Sequence, residues 1–461
     1  MARTLIRNAT IISVDPKIGD LKGDILIDGG KIAAVSRSVP ADGAEIIDAA
    51  NCIAIPGFID THRHTWEALL RAAGPDWSLG QYFTGVRVVM GGLYTPEDNY
   101  VANLLGAYEA IDSGVTTLYD WSHNNNSPDH SDAVVHGLKD SGIRAVFGYG
   151  NANAEWFPPN EIPTNYADLT RVRKQHFSSD DELVTMAFAA RGPQFTTLDI
   201  TESDFRTARD LGIRITVHVG DGLWGLTKPL VQMNERGLLK DDTTYVHCNT
   251  IGDDEFRLMG DTGGTASIAP ELEMQMGHGL PPALRMLAVG VRPTISSDVV
   301  TTVPADMFGA MRALLAGTRL MIHMKALEEK RMVEPLPLSS REVLSFATLD
   351  GAKACGLEHR TGSLTPGKEA DIVLINTDAM SLIPVNNPVS AVVEFSHIGN
   401  VDTVIIGGKV KKRKGKLVGV DFPAFRKRVD ATRDALFARA GAPTDGSWIV
   451  KPYQEERNLQ F

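Results

Sequence analysis

The chain has 461 residues, of which 43% are hydrophobic and 22% are charged, and this length fits one large domain together with a smaller one. Its 46 basic and 57 acidic side chains give a formal net charge of −11, which argues against nucleic acid and anionic membranes as partners. Three widely spaced cysteines without a C-x-x-C pair argue against a disulfide scaffold and a cysteine-based zinc site. The N-terminus lacks the apolar stretch of a secretory signal, so we expect a cytoplasmic protein.

Both ends of the chain are predicted to be rich in β-strands. Short β-branched runs alternate with turns in TLIRNATIISVD and DILIDGGKIAAVS, and the pattern returns in EADIVLINTD and VDTVIIGGKV. The Gly29-Gly30 and Gly407-Gly408 pairs are typical of hairpin turns. We expect residues 1–56 and 355–421 to form one small β-sandwich domain, and residues 422–461 to form an amphipathic helix followed by a polar tail.

The middle of the chain, residues 57–354, alternates short apolar runs with longer helical stretches. Eight candidate strands can be counted: AIPGFIDTH, VTTLYDWS, RAVFGYGN, LVTMAFAA, RITVHVG, TTYVHCN, GTASIAP and RPTISSD. Eight strands that alternate with helices predict an α/β fold of the (β/α)8 barrel type. An open doubly wound sheet is the alternative, but no G-x-G-x-x-G follows an early strand to support it.

Polar side chains stand at the ends of several predicted barrel strands. His62 and His64 end the first strand and point the same way because they are two residues apart. His218 ends the fifth strand, His247 the sixth and Asp298 the eighth. The active site of such a barrel lies at these strand ends, and imidazoles with a carboxylate suit a divalent metal that keeps one position open. A group of buried, hydrogen-bonded histidines is the alternative, and it does not explain the carboxylate.

The order PGFIDTHRH, VHVGD, YVHCN, ISSD between two β-rich ends resembles the amidohydrolase superfamily, in particular its mononuclear cytosine deaminase-like and chlorohydrolase-like branch. The likeness implies a barrel with a β-sandwich and one divalent metal per chain, zinc first, with iron or manganese as alternatives. It implies that the metal ligands are His62, His64, His218 and Asp298. It also implies that His247 orients the attacking water and that Asp298 takes part in catalysis.

Two departures from the family pattern bear on the reaction. Related deaminases carry His-x-x-Glu on strand five, where this chain has His218-Val219-Gly220-Asp221, so Asp221 is the expected proton-transfer group. After strand four the chain has Gly192-Pro193-Gln194 in place of a histidine-containing segment, which argues against nucleoside and simple pyrimidine substrates. Binuclear relatives use a lysine at the end of that strand, and Arg191 stands here instead, which favours one metal.

The predicted loops supply candidate substrate contacts. Five of the six tryptophans follow strands one, two, three or five, on the side where a barrel binds its substrate. An aromatic wall suits a planar substrate. The candidates chosen for substrate binding are Trp66, Trp121, His123, Gln194, Trp224, Glu271 and His278, with Trp77 and Trp156 as further aromatic loop residues.

These observations predict a metal-dependent hydrolase that acts on a C–N bond, in the first place by deamination of an N-heteroaromatic small molecule. One alternative keeps the metal and cleaves an amide or a carbon–halogen bond. Another is a catalytically silent barrel that serves in binding or assembly. The family likeness implies a homo-oligomer, a dimer or a tetramer.

Overall fold

The computed structural model describes residues 3–153, 161–444 and 447, and it contains two β-sheets. One sheet is built from both ends of the chain, and the other forms a barrel from the middle. The predicted fold class is therefore confirmed, while the division of the chain at residues 56 and 355 stays a prediction. No helix within the described ranges combines the length and the apolar character needed to cross a membrane.

The terminal sheet is mixed and has nine strands. They are β1 (Thr4–Ile12), β2 (Asp20–Asp28), β3 (Lys31–Ser36), β4 (Glu45–Asp48), β5 (Cys52–Pro56), β14 (Ile372–Asn376), β15 (Val401–Ile406), β16 (Lys409–Arg413) and β17 (Lys416–Leu417). Antiparallel pairing of β5 with β14 joins the two ends of the chain. Gly29 and Gly30 have φ values of 58° and 86° in the tight turn between β2 and β3, where a side chain would be strained.

The barrel contains all eight strands predicted from the sequence. They are β6 (Phe58–Arg63), β7 (Val115–Ser122), β8 (Arg144–Tyr149), β9 (Val184–Ala190), β10 (Arg214–Val219), β11 (Thr243–His247), β12 (Thr265–Ile268) and β13 (Pro293–Ile295). Neighbouring strands pair in parallel and in chain order. These strands consist of short runs of mainly β-branched and apolar residues, since both faces of each strand are buried.

Helices cover the outside of the barrel and close its ends. They are α1 (Leu79–Tyr82), α2 (Pro96–Asp112), α3 (Pro128–Ser141), α4 (Tyr166–His176), α5 (Leu198–Asp210), α6 (Pro229–Glu235), α7 (Asp253–Thr262), α8 (Pro270–Met276), α9 (Ala283–Ala288), α10 (Met307–Glu328), α11 (Ser340–Phe346), α12 (Leu349–Ala354), α13 (Pro388–Ser390) and α14 (Phe422–Ala440). The largest apolar core includes residues of the barrel strands and of the helices around them. Helix α14 is the predicted C-terminal helix, and the polar tail from residue 454 lies outside the described residues.

A buried ion-pair cluster connects the barrel to the terminal sheet. Arg144, at the start of β8, donates from Nε to Asp371 Oδ2 over 2.7 Å and also pairs with Glu369. The Arg144 and Asp371 side chains are almost fully buried. Because a buried charge without a partner is costly, this cluster fixes how the barrel sits on the sheet.

Candidate active site

The first part of the site lies where the barrel closes. The amide of Asp298 donates to the carbonyl of His62 over 3.0 Å, and the amide of His64 donates to the carbonyl of Asp298 over 3.0 Å. These backbone bonds join the end of β6 to the segment after β13. The side chains of His62, His64 and Asp298 are therefore held at one point by the same bonds that close the barrel.

The side chains at this seam come within metal-binding distance of one another. Asp298 Oδ1 lies 3.2 Å from His62 Nε2 and 3.4 Å from His64 Nε2. His218, at the end of β10, joins them, with its ring centroid 4.9 Å from that of His62. Ligand atoms of His62, His64 and His218 all lie within 4.8 Å of one another, and so do those of His62, His247 and Asp298.

The protonation pattern of the histidines fits a bound cation. His64 Nδ1 lies 2.8 Å from the carbonyl oxygen of Trp121, so that nitrogen carries the proton and Nε2 presents its lone pair to the site. The His62 ring is fully buried, its Nδ1 has no hydrogen-bond partner among the described residues, and its Nε2 faces Asp298 Oδ1 at 3.2 Å. Burial holds the pKa of both His64 and His218 well below the usual value, so both are neutral, as metal ligands must be.

The backbone is unusual at two residues of the site. His247 has a φ of 74° and Asp298 a φ of 58°, in the left-handed region that residues with side chains seldom adopt. Both residues lie at or just after the end of a barrel strand, where the chain turns towards the pocket. Such conformations cost free energy and concentrate at functional sites, and here they accompany side chains that face one another.

His247 is oriented by Glu273, a residue that the sequence analysis did not select. His247 Nδ1 lies 3.1 Å from Glu273 Oε1, and Glu273 also accepts from Asn249 Nδ2 over 3.0 Å and from the amide of Ala269 over 2.7 Å. Burial alone would lower the pKa of His247, but its hydrogen bond to Glu273 and the charge of Asp298 raise the pKa to about 9. His247 therefore presents a donor at Nε2, on the side facing Asp298.

Asp221 is oriented by Gln194. The Gln194 amide donates from Nε2 to Asp221 Oδ1, and its oxygen accepts from the amide of Gly220 over 2.6 Å. These two contacts fix the position of the Gln194 side chain and also determine which end of its amide is the oxygen and which is the nitrogen. Burial raises the pKa of Asp221, while His247 and Gln194 act in the opposite direction.

One pocket contains these groups. Its walls include His64, His218, Asp221, His247, His278 and Asp298 on the polar side, and Leu79, Tyr82, Phe83, Phe195, Met276 and Val299 on the apolar side, together with Arg87 and His123. The pocket is narrow, polar at its base and partly aromatic, which suits a small planar molecule.

The comparison with known proteins identifies the family. Residues 53–411 match the model of the amidohydrolase family. The chain belongs to the amidohydrolase family. Similar curated relatives are a 5-methylthioadenosine/S-adenosylhomocysteine deaminase of Caldicellulosiruptor saccharolyticus, 27% identical over 94% of this chain and 98% of the relative, and a 5'-deoxyadenosine deaminase of Methanococcus maripaludis, 29% identical over 89% and 96%.

Solved structures show the same amidohydrolase fold. A zinc-bound adenosine deaminase of Xanthomonas campestris superposes with a TM-score of 0.82 at 22% identity, covering 95% of this chain and 99% of that one. A mutant atrazine chlorohydrolase of Arthrobacter aurescens, complexed with zinc and atraton, gives 0.83 at 21% identity, covering 93% and 100%. At these levels of identity, the likeness shows a common fold.

The structure places only some of the residues expected to contact substrate at the wall of the pocket. His123 and His278 line the pocket, and the ring of His278 lies 4.7 Å from that of His247. Trp66 and Trp121 are fully buried behind the pocket wall. Trp121 packs on His218, with ring centroids 4.3 Å apart.

The remaining expected contacts lie behind or beside the pocket. Gln194 contacts Asp221 as described, and Trp224 packs on Phe83 and Phe195 at the rim. Glu271 faces Asp306 and Arg312 near the start of α10. Trp77 is buried in the cluster that covers the pocket, and Trp156 lies outside the described residues.

Sequence reasoning missed the pocket residues Tyr82 and Arg87, besides Glu273. Arg87 lies in a π-helical segment, Phe83–Met90, and is 1% exposed. A lone arginine inside the apolar run GVRVVM is the signal that was available in the sequence, because arginine is seldom buried without a partner.

Proposed function

We propose that this amidohydrolase removes an amino group from an N-heteroaromatic small molecule by hydrolysis. The observation that carries the proposal is the convergence of His62, His64, His218 and Asp298 beside Asp221 and His247 at one pocket. The deaminase names of the curated relatives support the same reaction class.

We infer that His62, His64, His218 and Asp298 hold one divalent metal ion, with zinc as the first choice. When bound, the ion supplies a Lewis acid that lowers the pKa of water towards neutrality and makes it a nucleophile. Imidazole and carboxylate donors also suit iron and manganese, so the donor set supports a divalent metal more strongly than it supports zinc.

Side chains of the protein transfer the protons of the reaction and orient the water. Asp221 accepts one proton from the attacking water and delivers it to a ring nitrogen, and the second water proton passes to the departing amino group, so that ammonia leaves and an oxo group takes its place. His247, held by Glu273, donates from Nε2 to orient the water oxygen. Gln194 holds the Asp221 carboxylate in place. The aromatic side chains on the pocket wall, including Phe83, pack against the planar ring of the substrate.

The experiment is ammonia release over a panel of aminated purines, pyrimidines, pterins and triazines, with wild type and Asp221→Asn. Asparagine keeps the shape of aspartate but cannot carry the proton. We expect ammonia from at least one ring with the wild type, and a loss of about 10²-fold or more in the variant without loss of metal. Turnover of amides or halides without ammonia would replace the reaction by the amide or carbon–halogen alternative. Protein that neither binds metal nor turns over any compound would favour a silent barrel.

We also propose a cytoplasmic homo-oligomer of two or four copies. Cys248 and Cys355 are buried as thiols, which suits a reducing compartment. Light scattering of the purified protein tests the assembly, and a monomeric mass would contradict it.

A further inference from the structure

The segment that carries Asp298 leaves the barrel sheet before it reaches the metal-binding group. Strand β13 ends at Ile295, and Asp298 lies three residues further along the chain with a φ of 58°. A left-handed conformation of this kind persists where the surrounding structure fixes it. Two backbone bonds to β6 hold Asp298 itself, and the residues just before it need a partner of their own.

A buried carboxylate is that partner. Asp60 lies on β6, two residues before His62, and is 1% exposed. Its Oδ1 atom accepts from the amide of Ser297 over 3.1 Å, and its Oδ2 atom accepts from the Ser297 hydroxyl. Both oxygens of one carboxylate therefore bind the residue that directly precedes Asp298. We call Asp60 and Ser297 the seam pair.

The seam pair also contacts the strand that carries the first two histidines. The His62 amide donates to Asp60 Oδ1 over 3.4 Å, a longer contact than those from Ser297. On the pocket side, His62 Nε2 lies 3.2 Å from Asp298 Oδ1. Asp60 therefore joins the main chains of the two segments whose side chains meet in the metal-binding group. Hydrogen bonds to an ionised carboxylate are about twice as strong as bonds between neutral groups.

Closure of the barrel alone does not require a carboxylate at this place. Thr61 Oγ1 lies 2.7 Å from Ser267 Oγ and 2.8 Å from Thr294 Oγ1, so neutral hydroxyls already connect β6 to β12 and β13. Burial of a carboxylate costs free energy that such hydroxyls avoid. The carboxylate stands where the chain turns towards the pocket, next to a residue with a strained backbone. Its position indicates a role in the site.

We propose that Asp60 is a positioning residue for the metal centre and that it acts through Ser297 to set the place of the Asp298 carboxylate among the histidines. The inference rests on the proposed metal centre and concerns two residues that do not themselves bind the ion. A ligand that is held in place beforehand loses less freedom when the ion binds. Removal of the seam pair should therefore weaken metal binding in a protein that still folds.

The test measures zinc affinity, which does not depend on turnover. Metal-free full-length wild type, Ser297→Ala, Asp60→Asn and the double variant compete for zinc with a coloured chelator. Partners of metal ligands contribute about 10- to 100-fold to metal affinity, and we expect a loss of this size in each single variant. The double variant should bind zinc about as weakly as the weaker single variant, because the two side chains act as one unit.

Thr244→Val is the matched control. The Thr244 hydroxyl is buried, lies 2.8 Å from Thr265 Oγ1 and donates to the Ala354 carbonyl over 3.1 Å, so this substitution also removes hydrogen bonds inside the barrel. We expect it to lower the unfolding temperature while zinc affinity stays within about two-fold of wild type, since it does not touch the seam pair. A loss of zinc affinity equal to that of Ser297→Ala would show a general effect of barrel stability and would overturn the inference.

A spectroscopic readout reports the geometry directly. Cobalt(II) takes the place of zinc, and its visible absorption depends on the arrangement of the ligands. We expect the absorption bands to shift in Ser297→Ala and to stay unchanged in Thr244→Val. Ser297→Ala keeps the amide bond to Asp60, and circular dichroism of the metal-free protein checks its fold. If Asp60→Asn does not fold, the zinc affinity and cobalt spectrum of Ser297→Ala decide the inference.

The outcomes separate this inference from the proposed function. Wild-type zinc affinity in the single variants, or losses that multiply in the double variant, would overturn the role of the seam pair and leave the metal centre intact. A wild-type protein that binds neither zinc nor cobalt would defeat the metal centre and the inference together. Coupled loss of zinc affinity in a protein that releases no ammonia from any ring would support the inference and defeat the proposed deamination.

Discussion

The amide of Asp298 donates a 3.0 Å hydrogen bond to the carbonyl of His62. This bond lies at the seam of the barrel, where the last strand meets the first, and a second bond from the His64 amide to the Asp298 carbonyl completes it. The backbone bonds that close the barrel therefore also hold His62, His64 and Asp298 side by side.

The first prediction concerns Asp298. Because its φ is 58°, alanine would strain the backbone, whereas asparagine tolerates this region. Asp298→Asn should therefore keep the fold and lose the anionic ligand, with a fall in metal content to a small fraction of the wild-type value. Elemental analysis with circular dichroism measures both. Wild-type metal content in Asp298→Asn would remove this carboxylate from the metal site.

The second prediction concerns the pair of glutamates on α8. Glu273→Gln weakens the hold on His247, and we expect kcat to fall about 10- to 100-fold with little change in metal content, as for other groups that orient a site histidine. Glu271→Gln is the matched control, because Glu271 faces Asp306 and Arg312 and should leave kcat within about two-fold of wild type. Equal effects of the two substitutions would contradict the assigned role of Glu273.

The third prediction concerns Gln194 as a positioning residue. Gln194→Met has a similar volume but removes the hydrogen bonds to Asp221 and to the Gly220 amide. Misplacement of a proton-transfer group by about an ångström can cost 10²-fold, so we expect kcat to drop by about that factor while KM changes little. The exposed Gln175→Met on α4 is the control. An unchanged kcat, or a change confined to KM, would show that Gln194 serves binding instead.

The fourth prediction concerns pH and stability. Burial by itself would raise the pKa of Glu109, but the charges of Arg63 and Arg71 lower it below the usual value. A carboxyl whose pKa is lower in the folded state stabilises the fold fully above its unfolded pKa of about 4.3, and this stabilisation is lost as the pH falls below that value. We therefore expect the difference in unfolding temperature between wild type and Glu109→Gln to stay constant from pH 7 to about pH 5 and to shrink as the pH falls from there to about 3.

The size of that effect follows from the burial of Arg63. Its side chain is 1% exposed, and removal of its partner leaves a buried charge without compensation, which costs about 3 kcal/mol at neutral pH. The matched control is Glu97→Gln, since the Glu97 pair with Arg428 is exposed and contributes less than about 1 kcal/mol. A loss in Glu109→Gln as small as in the control, or one that grows as the pH falls, would contradict this account.

The barrel strands and the positions of the histidines were predictable from the sequence. The alternation of side chains along a strand, and the point at which an apolar run ends, are both visible in a short stretch of sequence. His62 and His64 share a face by the two-residue alternation of a strand, and the end of each apolar run marks where the chain enters the active-site end of a barrel. The eight predicted strands are all present for the same reason.

The supporting residues could not be placed in this way. Glu271 and Glu273 both follow strand seven, and only the phase of α8 decides which one contacts His247. Trp66 was expected to line the pocket, but it lies behind the pocket wall, where its indole N–H donates to His123 Nδ1. These contacts depend on the packing of loops from distant parts of the chain, which a strand-by-strand analysis does not resolve.

Ammonia release by metal-free protein, to which zinc is returned in measured amounts, tests whether His62, His64, His218 and Asp298 form the metal centre. With a ring that the wild-type protein deaminates, we expect no release before zinc is added, full release at about one zinc per chain, and no recovery in Asp298→Asn. Ammonia release by the metal-free protein, or by Asp298→Asn at the wild-type rate, would contradict the claim that these four residues form the metal centre of a hydrolytic deaminase.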